Sequence, residues 1–329
     1  MNIAIVILNW NGKTLLETFL PSVIKYSKEA EIYVADNAST DDSISFLNSR
    51  YPKINIIQNN ENGGYAKGYN DALKFVKEDI ICLLNSDVEV TEHWLKPIID
   101  AFETEPETAI IQPKILDFNK RDHFEYAGAA GGFIDKYGYP FCRGRIFNTI
   151  EKDHGQYNDD TSIFWASGAC LFIRNDVFKS LEGFDESFFA HMEEIDLCWR
   201  AKNLGFNIKY IANSMVYHVG GATLNNTNPK KTYLNFRNSL YTLTKNASGN
   251  LFSIILIRLV LDGITGMKFI FELKPKHFFA ILYAHFSYYK SLKTLLIQRE
   301  KNIHEIKYFN RTSIVMDYFV NKKDTYSRL

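Results

Sequence analysis

Three sets of acids stand where a carboxylate can do chemistry. Asp87 ends the run Ile80-Ile81-Cys82-Leu83-Leu84-Asn85-Ser86-Asp87, in which five apolar residues stop at three polar ones. A carboxylate in such a place is a hard oxygen ligand, suited to Mg²⁺ or Mn²⁺ holding a phosphate. Asp36 ends Ile32-Tyr33-Val34-Ala35, where it can accept hydrogen bonds from a ribose or from the N–H of a base. Glu193, Glu194 and Asp196 fall within Phe188-Phe189-Ala190-His191-Met192-Glu193-Glu194-Ile195-Asp196. Aromatic neighbours can raise the pKa of one of these carboxyls towards that of a useful general base. On a helix Glu193 and Glu194 point about 100° apart, so they serve different neighbours. Each set also has a plainer use. Asn85, Ser86, Asp87 and Asp36 suit caps and turns. Acids in a first helical turn suit the helix dipole, and Asp196 with Arg200 makes an i,i+4 pair.

Other candidates are weaker alone. His218, in Met215-Val216-Tyr217-His218-Val219-Gly220-Gly221, is a lone histidine at a strand end. Beside Asp87 it becomes a candidate nitrogen ligand for the same ion. Gly63-Gly64-Tyr65-Ala66-Lys67-Gly68 invites a phosphate-loop reading at a helix start, but its spacings match neither the dinucleotide fingerprint nor a Walker A motif. Lys67 therefore reads as solvated unless that loop faces the site. Lys230, Lys231 and Arg237 with Tyr233 form a basic–aromatic cluster, either a solvated helix face or a clamp on a diphosphate.

These residues need a frame. The unbroken apolar runs at 3–8 and 80–84 read as strands buried on both faces, the mark of a parallel sheet covered by helices. Further strands are expected at 32–35, 54–57, 109–111, 169–173, 207–211 and 215–219. Leu15, Leu16, Phe19, Leu20, Val23 and Ile24 recur at helical spacing, and further helices are expected over 42–49, 65–77, 92–104, 176–181 and 192–204. Strands alternating with helices predict a right-handed, mostly parallel α/β sheet. Ligands in such sheets sit beyond the carboxyl ends of the strands. Asn9, Asp36 and Asp87 all end strands on one side, the default place for a nucleotide. Residues 119–160 show no clean period and read as a long loop region with short strands.

The 329 residues are 46% apolar and 15% aromatic, which excludes a disordered chain. Formal net charge is zero, which argues against a nucleic-acid partner. Residues 251–329 nevertheless hold 13 Lys and Arg against 6 Asp and Glu, a basic tail on an acidic body. Cys82, Cys142, Cys170 and Cys198 lack metal-ligand or CxxC spacing and read as buried free thiols. The chain opens directly into a strand with no charged leader, so a cytoplasmic body is expected.

Taken together, the chain resembles the family 2 inverting glycosyltransferases of the GT-A fold, particularly the bacterial rhamnosyltransferase-like members. The resemblance covers about residues 1–245. It rests on Val6-Ile7-Leu8-Asn9-Trp10-Asn11, Asp36-Asn37-Ala38-Ser39-Thr40-Asp41, Asn62-Gly63-Gly64 through Asn70, Asn85-Ser86-Asp87, the acidic helix start, and Tyr233 with Arg237-Asn238. It implies a Rossmann-like GT-A sheet and a sugar transferred from a UDP-, dTDP- or GDP-sugar to a hydroxyl of a glycan or lipid-linked glycan, in surface polysaccharide assembly. Asp36 would contact the base. Asp87 would bind the divalent metal as the last carboxylate of a DxD motif whose first acid is here Asn85, with His218 as the late metal-binding histidine. Glu194 stands where the family has the Asp of its Glu-Asp pair, the catalytic base, and Glu193 and Asp196 are its rivals. Asn9, Gly64, Lys67, Asn85, Ser86, Tyr233 and Arg237 complete the expected donor contacts.

The expected division is a catalytic domain over 1–245, with a nucleotide-binding half at 1–117 and an acceptor half at 118–245, and a helical, basic extension over 246–329. Leu251 to Leu261 is strongly apolar but interrupted by Arg258, with Asp262 just beyond, too broken to span a bilayer. Aromatic, apolar and basic residues over 251–290 suit either helices lying on the inner face of the plasma membrane or helices packing on the body or another subunit. Two rivals to the transferase are a sugar-nucleotide nucleotidyltransferase, against which Asn9-Trp10-Asn11-Gly12 lacks an Arg, and a non-catalytic nucleotide- or glycan-binding module.

Overall fold

The computed structural model describes residues 1–220, 228–302 and 306–329; Gly221, the last residue of the His218 motif, lies outside them. A central sheet is built from β1 (Ile3–Asn9), β2 (Ala30–Asp36), β3 (Asn55–Gln58), β4 (Ile80–Asn85), β5 (Val88–Val90) and β6 (Thr108–Asp117). Between them lie α1 (Lys13–Tyr26), α2 (Ser43–Arg50), α3 (Gly64–Leu73) and α4 (Lys96–Thr104). Residues 119–160 carry a separate antiparallel sheet of β7 (Gly132–Ile134), β8 (Pro140–Cys142), β9 (Arg145–Ile146) and β10 (Thr149–Ile150). The chain then returns to the central sheet through β11 (Thr161–Ser162) and β12 (Cys170–Arg174). It continues through α5 (Asn175–Ser180), α6 (Glu193–Asn203) and β13 (Asn207–His218). Three long helices follow: α7 (Pro229–Asn246), α8 (Leu251–Phe271) and α9 (Pro275–Asn302).

The central order is β11-β13-β6-β12-β4-β1-β2-β3, with β5 also on β13. β3, β2, β1 and β4 run parallel, as do β6 and β13, while β12 lies antiparallel between β4 and β6. The mostly parallel sheet is therefore as expected. The apolar core of β4 is fully buried from Ile80 to Leu84, which is why its side chains show no alternation. All four cysteines are buried and free.

The strand expected at 109–111 runs over Thr108–Asp117, and three further boundaries shift because tertiary bonds override local pattern. The helix expected from 92 starts at Lys96: Thr91 donates to the Met215 carbonyl at 2.7 Å and His93 has φ 61°. Pro97 then occupies the first turn, where a missing N–H costs nothing. The helix expected to 77 ends at Leu73, because the Asn175 amide takes the carbonyls of Val76 and Glu78. The strands at 207–211 and 215–219 are one strand, bulged where Ile211 faces Pro113 and Met215 already faces Lys114. Pro113 has no N–H to offer a ladder, and a bulge is where a strand tolerates it.

The C-terminal helices fold back on the body. Tyr233, Tyr241 and Thr244 of α7 bond Ser287, Ser291 and Tyr288 of α9. Beyond them Ile314 donates its N–H to Asp135 and packs with Phe141 and Ile146 beside the small sheet.

Candidate active site

The carboxyl edge of the parallel strands brings Asn9, Asp36 and Asn85 together. Asn9 and Asp36 are register partners on β1 and β2, and the Asn9 amide donates to Asp36 Oδ1 at 3.0 Å. Asp36 Oδ2 accepts the Ser39 N–H at 2.9 Å. Both are buried, Asn9 with its Oδ1 unpaired, so Asp36 also shapes the turn that carries Ser39 and Thr40. Leu8 faces Asn85 across β1 and β4. A Cβ on Gly12 would lie 2.4 Å from Asn9 Oδ1 and 3.7 Å from Ser86 Oγ. The backbone at Gly12 thus needs glycine to approach this edge.

Asp87 and His218 meet because β5 pairs antiparallel with β13, setting Val88 opposite His218. Asp87 Oδ1 lies 3.1 Å from His218 Nε2, and Asn85 Nδ2 3.3 Å from the same nitrogen. Behind the imidazole, Glu125 Oε1 lies 3.5 Å from Nδ1, which has no closer partner. Burial would drive the His218 pKa down, but Glu125 and Asp87 override it and push it up to about 10. Against the cost of its own burial, Asp87 is held below its ordinary pKa by His218. Asp87 and His218 together offer an oxygen and a nitrogen donor that would suit a divalent cation. Glu125 fits the carboxylate that orients a ligating histidine from behind. Among the described residues no group of three or more His, Cys, Asp and Glu is arranged to hold an ion. Glu125 carried no signal in the sequence, a single acid in an aperiodic stretch.

The acids of α6 separate clearly. Asp196 is 0% exposed and bonds Arg200 Nε at 2.9 Å, Lys245 at 3.0 Å and Asn246 at 2.8 Å. It is a structural ion pair, and its expected candidacy as base is corrected on that ground. Glu193 is 4% exposed; burial, with Glu194 adding repulsion, raises its pKa well above the ordinary value. Glu194 is partly open, though its Oε2 is covered and unpaired. Burial raises its pKa to about 7, against the pull of backbone N–H groups at residues 192, 194 and 195. A carboxyl poised there suits proton abstraction near neutrality.

The segment before α6 is strained. Phe189, His191 and Met192 have φ of 64°, 71° and 73°, a conformation that costs of order 1 kcal/mol or more for each non-glycine residue. The Phe189 carbonyl accepts the N–H groups of Tyr65 and Ala66 at the start of α3. Gly64, at φ 76°, lies so close that a Cβ would meet the Phe189 oxygen at 2.3 Å. Gly64 thus lets the segment before α6 seat on α3. His191 Nε2 is also buried and unpaired, and burial lowers its pKa to about 4.

Three expected donor contacts have other partners. Lys67 pairs with Asp71 and, at 3.6 Å, with Glu61. Arg237 donates to the carbonyls of Ser187 and Phe188 at 2.8 and 3.1 Å, and the Tyr233 hydroxyl donates to Ser287. The phosphate-loop and diphosphate-clamp readings gave these groups to a ligand; in the fold, neighbouring chain segments occupy their hydrogen bonds. Lys230 stands over the Phe189 ring at 4.8 Å.

Known proteins share this fold. The chain is 27% identical over 222 residues to an N-acetylglucosaminyl-diphospho-decaprenol L-rhamnosyltransferase of Mycobacterium tuberculosis, covering 62% of this chain and 71% of that one. The crystal structure of S. aureus TarS 1-349 in complex with UDP-GlcNAc superposes with TM-score 0.53 at 16% identity over 93% of both chains. That of GalNAc-T7 with UDP, GalNAc and Mn²⁺ gives TM-score 0.59 at 14% identity, over 74% of this chain and 48% of that one. Both share the glycosyltransferase fold anticipated from the sequence. The sequence model of glycosyl transferase family 2 matches residues 4–182, more than half of the chain, so this protein is a glycosyltransferase and belongs to glycosyl transferase family 2.

Proposed function

We propose that the chain transfers a sugar from a UDP-, dTDP- or GDP-sugar to a hydroxyl of a lipid-linked glycan, with inversion, in surface polysaccharide assembly. The observation that carries this reading is Glu194. It is the partly open acid of the α6 start, poised near neutral pH at the end of a strained segment. Glu194 takes the acceptor proton as the hydroxyl attacks the anomeric carbon from the face opposite the nucleotide. Glu193, kept neutral by burial and by Glu194, leaves a single negative charge at that place. Asn9, Asp36, Asn85 and Ser86 form the edge that receives the nucleotide. Asp87 and His218 would hold Mg²⁺ or Mn²⁺, whose charge when bound offsets that gathering on the departing diphosphate. His218 must give up its proton to do so, and Glu125 orients the ring.

The test is thermal stabilisation by UDP, dTDP and GDP, each with and without Mn²⁺, since a ligand of the folded state raises its melting temperature. Metal-dependent stabilisation by one nucleotide, lost in Asp87→Ala, supports the donor site and names the base. No shift with any of them, in folded protein, overturns it and favours the binding-module alternative.

The lipid-linked acceptor is favoured by the C-terminal helices. Among the described residues no helix is long and apolar enough to cross a membrane. One face of α8 packs inward through Ile254, Ile255, Arg258 and Asp262. Its opposite face exposes Phe252, Leu256, Val260, Ile264, Met267 and Phe271, the first at 76% and the last at 80%. α9 exposes Phe279, Tyr283, Phe286 and Tyr289, flanked by exposed Lys276, Lys290 and Lys293. An apolar stripe ringed by lysines suits the surface of an anionic bilayer, at the cytoplasmic side where such lipids face the enzyme. Sedimentation with vesicles of phosphatidylglycerol, reduced by Phe252→Ser with Phe271→Ser, is the expected result. Equal binding to neutral vesicles, or none, counts against it.

A further inference from the structure

Resting on Glu194 as the base, we propose that Asn238, tied to Arg237 on α7, is a positioning residue that holds the strained segment presenting that base. The carbonyls of this segment are all claimed. Arg237 takes those of Ser187 and Phe188. Asn238 Nδ2 lies 3.0, 2.9 and 2.7 Å from the carbonyls of Phe188, Ala190 and His191. The N–H groups of Tyr65 and Ala66 take that of Phe189, and the N–H of Asp196 takes that of Met192 at 2.9 Å. Arg237 Nε donates to Asn238 Oδ1 at 2.8 Å, which fixes the amide's orientation. Asn238 is fully buried, so its two N–H groups have no competing water.

The arrangement is built for placement rather than for fold stability. Three non-glycine residues in four are held in the left-handed region, where they stay only if surrounding bonds over-determine them. The same short segment leaves His191 Nε2, Glu193 Oε2 and Glu194 Oε2 buried and unpaired. Asn238 needs no contact with either substrate to set where Glu194 stands; it acts through three carbonyls on the segment that ends at Glu194.

Asn238→Asp tests this, because it keeps the shape and removes both N–H groups. With the segment loosened, Glu194 moves relative to the acceptor and becomes hydrated. We expect kcat to fall about 100-fold, the cost of a misplacement of about 1 Å, with the KM for the nucleotide sugar within about threefold. The acid limb of kcat against pH should also move to lower pH, as hydration returns the Glu194 carboxyl towards its ordinary range. The other titratable groups facing Glu194 are Glu193 and Cys198 on α6, Tyr65 on α3 and Cys142 on β8, each raised by burial, and His191 on the same segment is lowered by burial to about 4, so the limb near neutrality reports the Glu193–Glu194 pair. A folded Asn238→Asp enzyme with near-parental kcat, or a lower kcat with an unmoved acid limb, overturns the proposal. If that variant does not fold, Arg237→Lys, which loses the fork on Ser187 and Phe188, carries the same two readouts. Glu194→Gln separates the two levels. If it transfers sugar normally, the base assignment fails; if it is inactive while Asn238→Asp behaves as the parent, only the positioning role fails.

Discussion

Replacing Glu194 by Gln should remove activity and add stability at once. The carboxyl is raised from 4.5 to about 7 by burial. At 1.36 kcal/mol per unit, holding it ionised in the native state above that pH costs about 3 kcal/mol, an upper figure for a partly open group. The sign follows from linkage. A raised native pKa gives stability that is fully present below 4.5 and is lost as pH rises through about 7. Gln carries no charge and keeps the carbonyl oxygen, and the Oε2 it replaces has no partner to lose. Glu194→Gln should therefore melt with the parent at acid pH and above it by several degrees at pH values past neutrality. Transfer should fall by about 10²- to 10⁴-fold, the usual contribution of a positioned general base. Thermal melts across pH, beside a radiolabelled or chromatographic transfer assay, read both. A variant that keeps its transfer rate, or that melts below the parent at alkaline pH, refutes the reasoning.

Other perturbations divide structure from chemistry. Lys245 is buried between Asp185, at 2.7 Å, and Asp196, at 3.0 Å; Lys245→Met takes the cation from Asp185 and leaves Asp196 with Arg200 alone, and should cost about 3–5 kcal/mol in denaturant unfolding. Gly64→Ala puts a Cβ 2.3 Å from the Phe189 oxygen at φ 76°. It should destabilise by at least about 1–2 kcal/mol and lower kcat, because the overlap pushes on the segment before Glu194. Lys67→Ala should leave the KM for the nucleotide sugar within about twofold, since its ammonium serves Asp71 and Glu61; a tenfold rise would restore the phosphate-loop reading.

Much was legible in the residues themselves. Fully buried strands announce themselves as unbroken apolar runs, and the polar residues that stop them, Asn9, Asp36 and Asn85 to Asp87, mark the carboxyl edge of the sheet. The acidic start of α6 was visible as a cluster. Periodicity and strand ends are local properties, so a linear string carries them. Apart from Asp87 with His218, which the sequence reading had paired, partners distant in sequence were not legible. Asp87 and His218 are 131 residues apart, and only the antiparallel pairing of β5 with β13 makes them neighbours. Glu125 joins them from a stretch without period. Asp196 and Glu194 look alike on the chain, two acids in one helical turn. Tertiary structure sends the first to Arg200, Lys245 and Asn246 and leaves the second partly open. Arg237 read as part of a basic cluster for a diphosphate, yet its donors, with those of Asn238, are taken by the carbonyls of residues 187, 188, 190 and 191. Apolar runs and periodicity determined the sheet, and the order of the motifs carried the resemblance to the family. The choice of which acid remains available, and which cation is already paired, depends on burial and on bonds made through space, and those exist only once the chain is folded.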